Sequence, residues 1–372
     1  MKFTTSREAL LKAINFAQEI ITNKSPVSIL SNVLLQTAEN KVIVKCTNST
    51  VKAITSFGAE IEEEGELTIF CDKFLSIINS LPMGDVEVFN SENEVIIQPL
   101  GKRVRFKLKS LAADKFPLFN KSDGSGDIKI ASKDFKNLIR NTIFAVSTDQ
   151  NRYFLTGCYV CKDDETKVLN MIATDGRRMS ICKSFNFTAD IKAAIIPTKI
   201  LYVVDKFMND EGDLIINCNG KEFTVKSSNI EISTTLIDGQ FPAWQKVVPS
   251  GLDRTITVDK SELEDAIKRA VNMSARNGRI QLFIDKGKIE ISSPENEIGS
   301  SKEEISADYN GESVNISLNV LYLSDVLKIL NTDKISIDFS INEDNKVSKA
   351  LIIRESDKTE TSYTHIVMPM SF

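Results

Sequence analysis

Side chains that commonly do acid–base or nucleophilic chemistry are few in this chain. Histidine occurs once, as His365, in a run typical of a strand, and the sequence has no GxSxG motif, Walker loop or GxGxxG motif. We therefore expect a strand-face histidine without a catalytic role. Cys158 and Cys161 form a CxxC, but alternation places them on opposite faces of a predicted strand. With no second CxxC, we expect no zinc site, no cofactor and reduced, mostly buried cysteines.

The most unusual local sequence is ATDGRRMS. Asp175 and Gly176 indicate a tight turn between two strand-like runs, and a plain hairpin is the simplest interpretation. Arg177, Arg178 and Met179 place two guanidinium groups beside an apolar side chain, which suits recognition better than catalysis. A phosphoesterase built on this turn would need metal ligands or a base, and the sequence supplies neither.

The last residues of the sequence are nearly without charge. An exposed apolar segment of this kind either completes a sheet or lines a groove for a partner, and both interpretations stay open. The apolar residues concerned are Ile366, Val367, Met368, Pro369, Met370 and Phe372.

The elements that must position these segments repeat along the chain. Thr255 to Ser274 begins as a short alternating strand, after which Asp259 or Ser261 is expected to cap a helix. Apolar residues at i, i+3, i+4 and i+7 give this helix one stripe, and the same stripe occurs twice before it. The three stripes are Leu263, Ala266, Ile267 and Ala270; Phe135, Leu138, Ile139 and Thr142; and Leu10, Ala13, Ile14 and Ala17.

A second striped helix follows each first one at a similar distance. The third stripe residue of each first helix lies 60, 61 and 56 residues before the first stripe residue of the second helix, from Ile14 to Phe74, Ile139 to Ile200 and Ile267 to Leu323. Two kinds of helix in the same order, with a period of about 125 residues, indicate domain-sized tandem repeats. The second stripes are Phe74, Ile77, Ile78 and Leu81; Ile200, Val203, Val204 and Phe207; and Leu323, Val326, Leu327 and Leu330.

We predict three domains, at residues 1–121, 122–250 and 251–372. The polar, glycine-containing run KSDGSGD is the clearest linker, and VVPSGLD forms the second. Each domain is predicted to be an α+β unit in which two helices pack against antiparallel sheets of about eight short strands.

Composition is that of an ordinary globular protein. The 372 residues are 42% hydrophobic and 26% charged, and no apolar run approaches the roughly 18 residues of a membrane span. Charges are mixed into the N-terminal segment, so we expect no signal peptide and a soluble, cytoplasmic protein. The net charge of −5 disfavours nucleic-acid binding over the whole surface but leaves a local basic surface open.

The threefold repeat, the opening MKFTTSREALLKAI, the ATDGRRMS turn, FPAWQKVVP and the closing VMPM together resemble the beta subunit family of bacterial DNA polymerase III, the sliding clamps. The resemblance covers the whole chain in register. It implies the DNA-clamp (processivity) fold, in which two subunits join head to tail into a closed six-domain ring. It also implies a non-catalytic protein that encircles duplex DNA without sequence specificity and tethers the replicative polymerase.

The resemblance further implies partners and sites. The partners are double-stranded DNA, the DNA polymerase III alpha subunit, the clamp loader, replication and repair proteins that carry a clamp-binding peptide, and a second copy of the chain, with no membrane. The implied peptide-binding cleft comprises Leu155, Thr174, Gly176, Arg177, Arg178, Met179, Pro242, Lys246, Val247, Ile366, Met368, Pro369 and Met370. The implied DNA-facing residues are Lys24, Arg152, Tyr153 and Lys199, and the implied dimer contacts are Phe106, Leu108, Asn272 and Met273.

The sequence departs from the family pattern at the cleft. Arg177 stands where the family commonly has histidine, Met179 where it has leucine, and Ser371-Phe372 where it often has Arg-Leu, which leaves the peptide preference open. A tandem-domain adaptor that does not encircle DNA would explain the repeats equally well.

Basic residues on the helices are expected to line the ring, namely Lys12, Lys73, Lys136, Arg140, Lys199, Lys206, Lys268 and Arg269.

Overall fold

The computed structural model describes most of the chain. The described residues are 1–22, 28–119, 124–163, 166–187, 190–274, 278–297, 299–342, 347, 350–356 and 362–370. Lys24, Ser371 and Phe372, which enter the expectations above, lie outside them. The chain forms two compact units, Met1–Lys133 with Lys199–Leu236, and Asp134–Thr198 with Ile237–Phe372.

Within the described ranges the same order of helices and strands occurs three times. The first repeat contains β1 (Lys2–Ser6), α1 (Arg7–Ile20), β2 (Asn32–Ala38), β3 (Lys41–Thr47), β4 (Val51–Gly58), β5 (Glu60–Glu63), β6 (Glu66–Phe70), α2 (Cys71–Ser80), β7 (Asp85–Ser91), β8 (Glu94–Pro99) and β9 (Phe106–Lys109). The second contains β10 (Ile128–Ala131), α3 (Ser132–Arg140), β11 (Gly157–Lys162), β12 (Leu169–Thr174), β13 (Arg178–Ser184), β14 (Ala194–Pro197), α4 (Thr198–Phe207), β15 (Asp213–Cys218), β16 (Glu222–Lys226) and β17 (Ile230–Thr235). The third contains β18 (Arg254–Asp259), α5 (Lys260–Met273), β19 (Arg279–Asp285), β20 (Lys288–Asn296), β21 (Gly299–Asp308), β22 (Val314–Asn319), α6 (Val320–Ile329), β23 (Lys334–Phe339), β24 (Leu351–Glu355) and β25 (Tyr363–Val367).

Each repeat builds two antiparallel four-stranded sheets with matching orders. In the first repeat the orders are β6-β2-β3-β4 and β1-β7-β8-β9, with β5 added beside β1. The second has β14-β11-β12-β13 and β10-β15-β16-β17, and the third has β22-β19-β20-β21 and β18-β23-β24-β25. The predicted α+β class and the threefold repeat are therefore confirmed.

Strand pairs join neighbouring repeats. The last strand of the second repeat, β17, pairs with the fourth strand of the first, β4, from Ile230 opposite Thr55 to Thr234 opposite Val51. In the same way β25 of the third repeat pairs antiparallel with β13 of the second. At each junction the backbone donors and acceptors of two strand edges are satisfied between repeats, so the sheets run on from one repeat to the next.

The helices form where their caps and stripes predict them. The Asp259 carboxylate accepts the backbone N–H of Glu262 at 3.0 Å, and the Ser6 hydroxyl accepts that of Ala9 at 3.2 Å. All four stripe residues of α5, from Leu263 to Ala270, are buried in the core of the third repeat. None of the helices in the described ranges is long and apolar enough to cross a bilayer.

The first helix of the second repeat is shorter than its stripe predicts. It ends at Arg140, so Thr142 is buried just beyond it. The Thr142 hydroxyl donates to the carbonyl of Leu138 at 2.6 Å, and its N–H turns to the carbonyl of Ile139 at 3.1 Å. These bonds replace the α-helical hydrogen-bonding pattern with a tighter turn. Thr142, the fourth stripe residue, therefore stays in the core although it lies beyond the helix.

His365 lies in β25, at the junction of the second and third repeats, and is fully buried. Its Nδ1 lies 3.0 Å from the Ser180 hydroxyl on β13, and its ring stacks on Tyr363 at 5.1 Å. Burial lowers the pKa of this imidazole to about 3, so the ring is neutral near pH 7.

This burial predicts a pH-dependent contribution to stability. The unfolded chain takes up a proton on His365 below its ordinary pKa of 6.5, whereas the folded chain does so only near 3. The contribution is thus complete above pH 6.5 and is lost as the pH falls towards 3. Between pH 7.5 and 5, the native protein should lose about 2 kcal/mol of unfolding free energy relative to His365→Gln, measured by urea unfolding. A difference that stays constant with pH would contradict the buried, neutral imidazole.

Candidate functional site

The ATDGRRMS segment forms a tight turn between β12 and β13. One Asp175 carboxylate oxygen accepts the N–H groups of Arg177 and Arg178 at 2.8 and 3.0 Å. The Thr174 hydroxyl donates to the carbonyl of Arg178 at 2.6 Å and accepts the N–H of Gly176 at 3.0 Å. Gly176 has a φ of +86°, a conformation that L side chains rarely adopt. The turn is therefore fixed by its own side chains.

An apolar cluster lies behind this turn. Leu155, Met179 and Ile366, three of the predicted cleft residues, are buried together in it. They come from the segment before β11, from β13 and from β25, so the cluster draws on both the second and the third repeat. The structure thus brings the ATDGRRMS turn and the last apolar segment to one place.

Aromatic residues that the sequence reasoning missed complete the cluster. Tyr159 and Phe241 stack at 4.7 Å with their rings nearly parallel, and Trp244 and Val248 pack on the same group. Phe241 and Trp244 belong to the FPAW motif in the connection between β17 and β18. Of the predicted residues in this connection, Pro242 and Lys246 are exposed and Val247 is 49% exposed.

The last described residues are tied to both repeats by backbone hydrogen bonds. The N–H of Met368 donates to the carbonyl of Arg177 at 2.9 Å, and the N–H of Met370 donates to the carbonyl of Ser317 in β22 at 2.8 Å. Met368 remains 40% exposed, and Pro369 is half-buried. Exposed apolar side chains therefore border a buried apolar base, which is an arrangement suited to a short apolar peptide.

The predicted DNA-facing residues fall in different places. Arg152 lies beside the turn, because a Cβ atom built on Gly176 would come 2.9 Å from its Nη1. Tyr153 is 50% exposed. Lys199 belongs to the other compact unit, where its ammonium group lies 4.0 Å from the Glu19 carboxylate. Lys24 lies outside the described residues.

The basic residues expected to line a ring are not all free. Lys136 is buried, with 4% of its surface exposed, so it does not belong to an exposed lining. Lys268 pairs with Glu264 at 3.1 Å, and Arg269 donates to Glu303 at 2.8 Å. Exposed ion pairs of this kind contribute little to stability, so each basic side chain can release its carboxylate and bind another anion.

The predicted dimer contacts lie at the ends of elements. Phe106 and Leu108 are half-buried on β9, which is the edge strand of its sheet. Asn272 and Met273 end α5, and the Met273 methyl group would meet a Cβ atom on Gly299 at 3.3 Å. The two sets belong to different compact units.

In the described part of the chain, no three His, Cys, Asp or Glu side chains are grouped so that they could hold a metal ion. Burial raises the pKa of the Cys158 and Cys182 thiols to about 12, which keeps them protonated and poorly nucleophilic. Hydrogen bonds from Asn151 and Arg152 lower the pKa of the exposed Asp149 carboxyl.

Known proteins resemble this chain over its whole length. Models of the N-terminal, central and C-terminal domains of the DNA polymerase III beta subunit match residues 1–120, 129–243 and 245–371. The chain is 33% identical to the beta sliding clamp of Treponema pallidum, covering 100% of this chain and 99% of that protein. It is 30% identical to the beta sliding clamp of Pseudomonas aeruginosa, with 100% of each covered. The crystal structure of the Pseudomonas aeruginosa clamp bound to griselimycin matches with a TM-score of 0.90 at 27% identity, again over 100% of each chain.

The turn geometry gives a test of its own. Because Gly176 has a left-handed φ, Gly176→Ala should destabilise the protein by about 1–2 kcal/mol, measured by urea unfolding. Gly58 provides a matched control, since it has no left-handed φ and no neighbouring atom within 4 Å of an added Cβ. Gly58→Ala should change the unfolding free energy by less than about 0.5 kcal/mol. Equal effects of the two substitutions would show that the turn does not depend on the backbone freedom of Gly176.

Proposed function

This chain belongs to the DNA polymerase III beta subunit family, the beta sliding clamps, and we propose that it acts as a non-catalytic processivity factor in the cytoplasm. In this role a homodimeric ring encircles duplex DNA and tethers the replicative polymerase, the clamp loader and repair proteins. Family membership supports the DNA replication role directly.

The pattern of strand pairing supports the ring most strongly. Both junctions within the chain pair the last strand of one repeat with the fourth strand of the repeat before it. By the same rule, β9 of the first repeat should pair with β21 of a second copy, and β21 of the third repeat should pair with β9 of that copy. Among the described residues, β9 pairs only with β8, and β21 meets β18 only at Ala307 and Asp308, which leaves an open edge on each.

The two open edges, β9 and β21, favour a closed dimer. An unpaired strand edge exposes backbone donors and acceptors and promotes association. When two copies pair β9 with β21 at both ends, all six repeats are joined by the same kind of contact and the ring closes. Phe106 and Leu108 lie on β9, which is the first of these edges. Asn272 and Met273 end α5, and Arg269 of the same helix binds Glu303 on β21, which is the second edge. We propose these residues as the dimer contact.

Contact with DNA is proposed to be electrostatic and independent of sequence. A ring retains DNA by topology, so weak phosphate contacts are sufficient. Lys12 and Lys73 are exposed on α1 and α2, and Lys199 is partly exposed on α4. Arg152 and Tyr153 are exposed beside the turn, and we propose them together with Lys24 as further DNA-facing residues.

The apolar cluster and its border are proposed as the site for partner peptides. A few buried anchors dominate the affinity of such grooves, and Leu155, Met179 and Ile366 supply a base for them. Met368 and Met370 add flexible thioethers, which suit a site that accepts several partners. The Pseudomonas aeruginosa clamp has been solved with griselimycin, and we propose that the same compound binds this chain.

The adaptor alternative differs from the clamp in one measurable property. A ring should remain on circular DNA after loading and slide off the same DNA once it is linearised, whereas an adaptor without a ring should show no difference. The expected result is retention on the circle that is lost on cutting, measured by gel filtration of labelled protein. Phe106→Ala with Met273→Ala is the matched control, because a monomer should not be retained on either form. Equal retention on circular and linear DNA would reject encirclement.

The cleft assignment predicts a separation of functions. Deleting residues 368–372 removes Met368, Pro369 and Met370 but leaves β25 and its pairing with β13 intact. Dimer mass should therefore stay unchanged. Binding of a fluorescent peptide from the C-terminus of the polymerase alpha subunit should fall at least tenfold by fluorescence polarisation. Unchanged affinity in the truncated protein would place the peptide site elsewhere.

A further inference from the structure

The side chain of Arg178 is almost entirely committed to partners inside the protein. Its Nε donates to the second oxygen of Asp175 at 3.1 Å, and its Nη1 donates to Asp325 at 2.7 Å. Its Nη2 donates to the backbone carbonyl of Phe144 at 2.6 Å. Each guanidinium nitrogen therefore has an acceptor, and only 12% of the side chain is exposed.

Aromatic rings enclose the same guanidinium group. The centre of the group lies 4.7 Å from the ring centroid of Tyr322 and 5.5 Å from that of Phe144. Both rings pack on the core of the third repeat. A planar guanidinium can hold three acceptors in fixed directions while it stacks on aromatic faces, and a lysine ammonium cannot do both.

The acceptors of Arg178 belong to two different repeats. Asp175 is in the turn between β12 and β13, whereas Asp325 and Tyr322 are on α6 of the third repeat. The Asp175 carboxylate also fixes the turn through the N–H groups of Arg177 and Arg178. Arg178 therefore connects the turn of the second repeat to a helix of the third through the carboxylate that shapes the turn.

This connection lies directly behind the proposed peptide cleft. Arg177, which precedes Arg178, accepts the N–H of Met368 through its carbonyl, and Met179, which follows it, belongs to the apolar base. A shift of the turn relative to α6 would move Met179 and Met368 together. The position of these two side chains relative to α6 therefore depends on the hydrogen bonds of the Arg178 guanidinium group.

We infer that Arg178 is a positioning residue of the cleft, which acts by fastening the ATDGRRMS turn to Asp325 on α6, an inference that rests on the proposed peptide-binding function. Its effect on a partner peptide is indirect. Without the hydrogen bonds of the Arg178 guanidinium group to Asp175 and Asp325, the turn spends less time in the binding arrangement. The apparent dissociation constant for the peptide then rises in proportion. Asp325 is then part of the same device, although it lies outside the predicted cleft.

Asp325 allows positioning to be separated from direct contact. Asp325→Asn keeps the size of the side chain but removes the charge that holds the Arg178 guanidinium group. If Arg178 positions the turn, Asp325→Asn should weaken binding of the fluorescent polymerase alpha C-terminal peptide about tenfold, and Arg178→Lys by a similar factor. The double variant should bind no more weakly than the weaker single variant, because both changes release one connection.

The matched control is Lys328→Gln. Lys328 contacts the other oxygen of Asp325 at 3.3 Å and is exposed, and it does not touch Arg178. This variant should bind the peptide as the unmodified protein does. Dimer mass should be unchanged in all variants. If Asp325→Asn fails to fold, faster amide exchange at Met368 in Arg178→Lys carries the test.

Amide hydrogen exchange gives a readout that general destabilisation would not produce. The N–H of Met368, bonded to Arg177, should exchange faster in Asp325→Asn than in Lys328→Gln. Amides in the β11–β12 ladder, such as the pair Val160 and Met171, should be unaffected.

The outcomes separate the inference from the function on which it rests. If the unmodified protein does not bind the peptide, the proposed cleft is wrong and the inference fails with it. If the unmodified protein binds but Asp325→Asn binds equally well, the cleft stands and the positioning role is overturned. In that case a loss confined to Arg178→Lys would make Arg178 a direct peptide contact. A loss in both variants with additive effects in the double variant would also overturn the shared connection.

Discussion

The edge of a β-sheet is the constraint on which this structure depends. Every strand at a sheet edge carries backbone groups that must be paired, covered or left to water. Each repeat here has two sheets, and each sheet would end in an open edge if the repeat stood alone. The chain resolves this by pairing β17 with β4 and β25 with β13, so that each junction between repeats is itself a piece of sheet. In an open chain of three repeats the first and the last of these edges stay unpaired, and the proposed closure with a second copy would pair them without any new kind of contact.

The proposed cleft is a consequence of the same pairing. The β13–β25 junction places Met179 opposite Ile366 and lets the residues after β25 run beside the turn before β13. The proposed site for partners thereby draws on two repeats, and it would depend on their alignment. Polar pairs at this junction, the buried His365 with Ser180 and the partly exposed Arg178 with Asp325, fix that alignment by direction as well as by packing. Apolar contact alone would permit small slips that a peptide site of a few anchors could not tolerate.

Local features of the sequence were sufficient for the helices and the repeat. The stripes of α5 and α1, the cap at Asp259 and the turn at Asp175–Gly176 all depend on residues within a few positions of each other. The resemblance implied a set of cleft residues, of which the structure brings Leu155, Met179 and Ile366 into one cluster.

Features that depend on distant partners could not be predicted in this way. The place of Arg152 beside Gly176 and the contribution of Trp244 follow from how separate segments meet in space. Lys136 occupies a polar position on a helical pattern, yet it is buried by its surroundings, which no spacing in the sequence reveals. The partner of Arg178, Asp325, lies 147 positions away in the chain, so only the fold identifies it.

The modest charge of the helices is consistent with retention by topology. A protein that holds DNA by affinity needs a strongly basic surface, and its dissociation depends steeply on salt. A closed ring stays on DNA even when its affinity for DNA is low. Basic side chains therefore need only keep the duplex from binding to one side of the ring. Lys268 and Arg269 are paired with acids on their own chain, in exposed contacts that cost little to exchange for a passing phosphate. In the proposed ring, such internal pairs would lower the affinity for any one position on the duplex, and a clamp that moves with a polymerase benefits from weak contacts of this kind. The net charge of −5 is therefore compatible with a DNA-encircling protein.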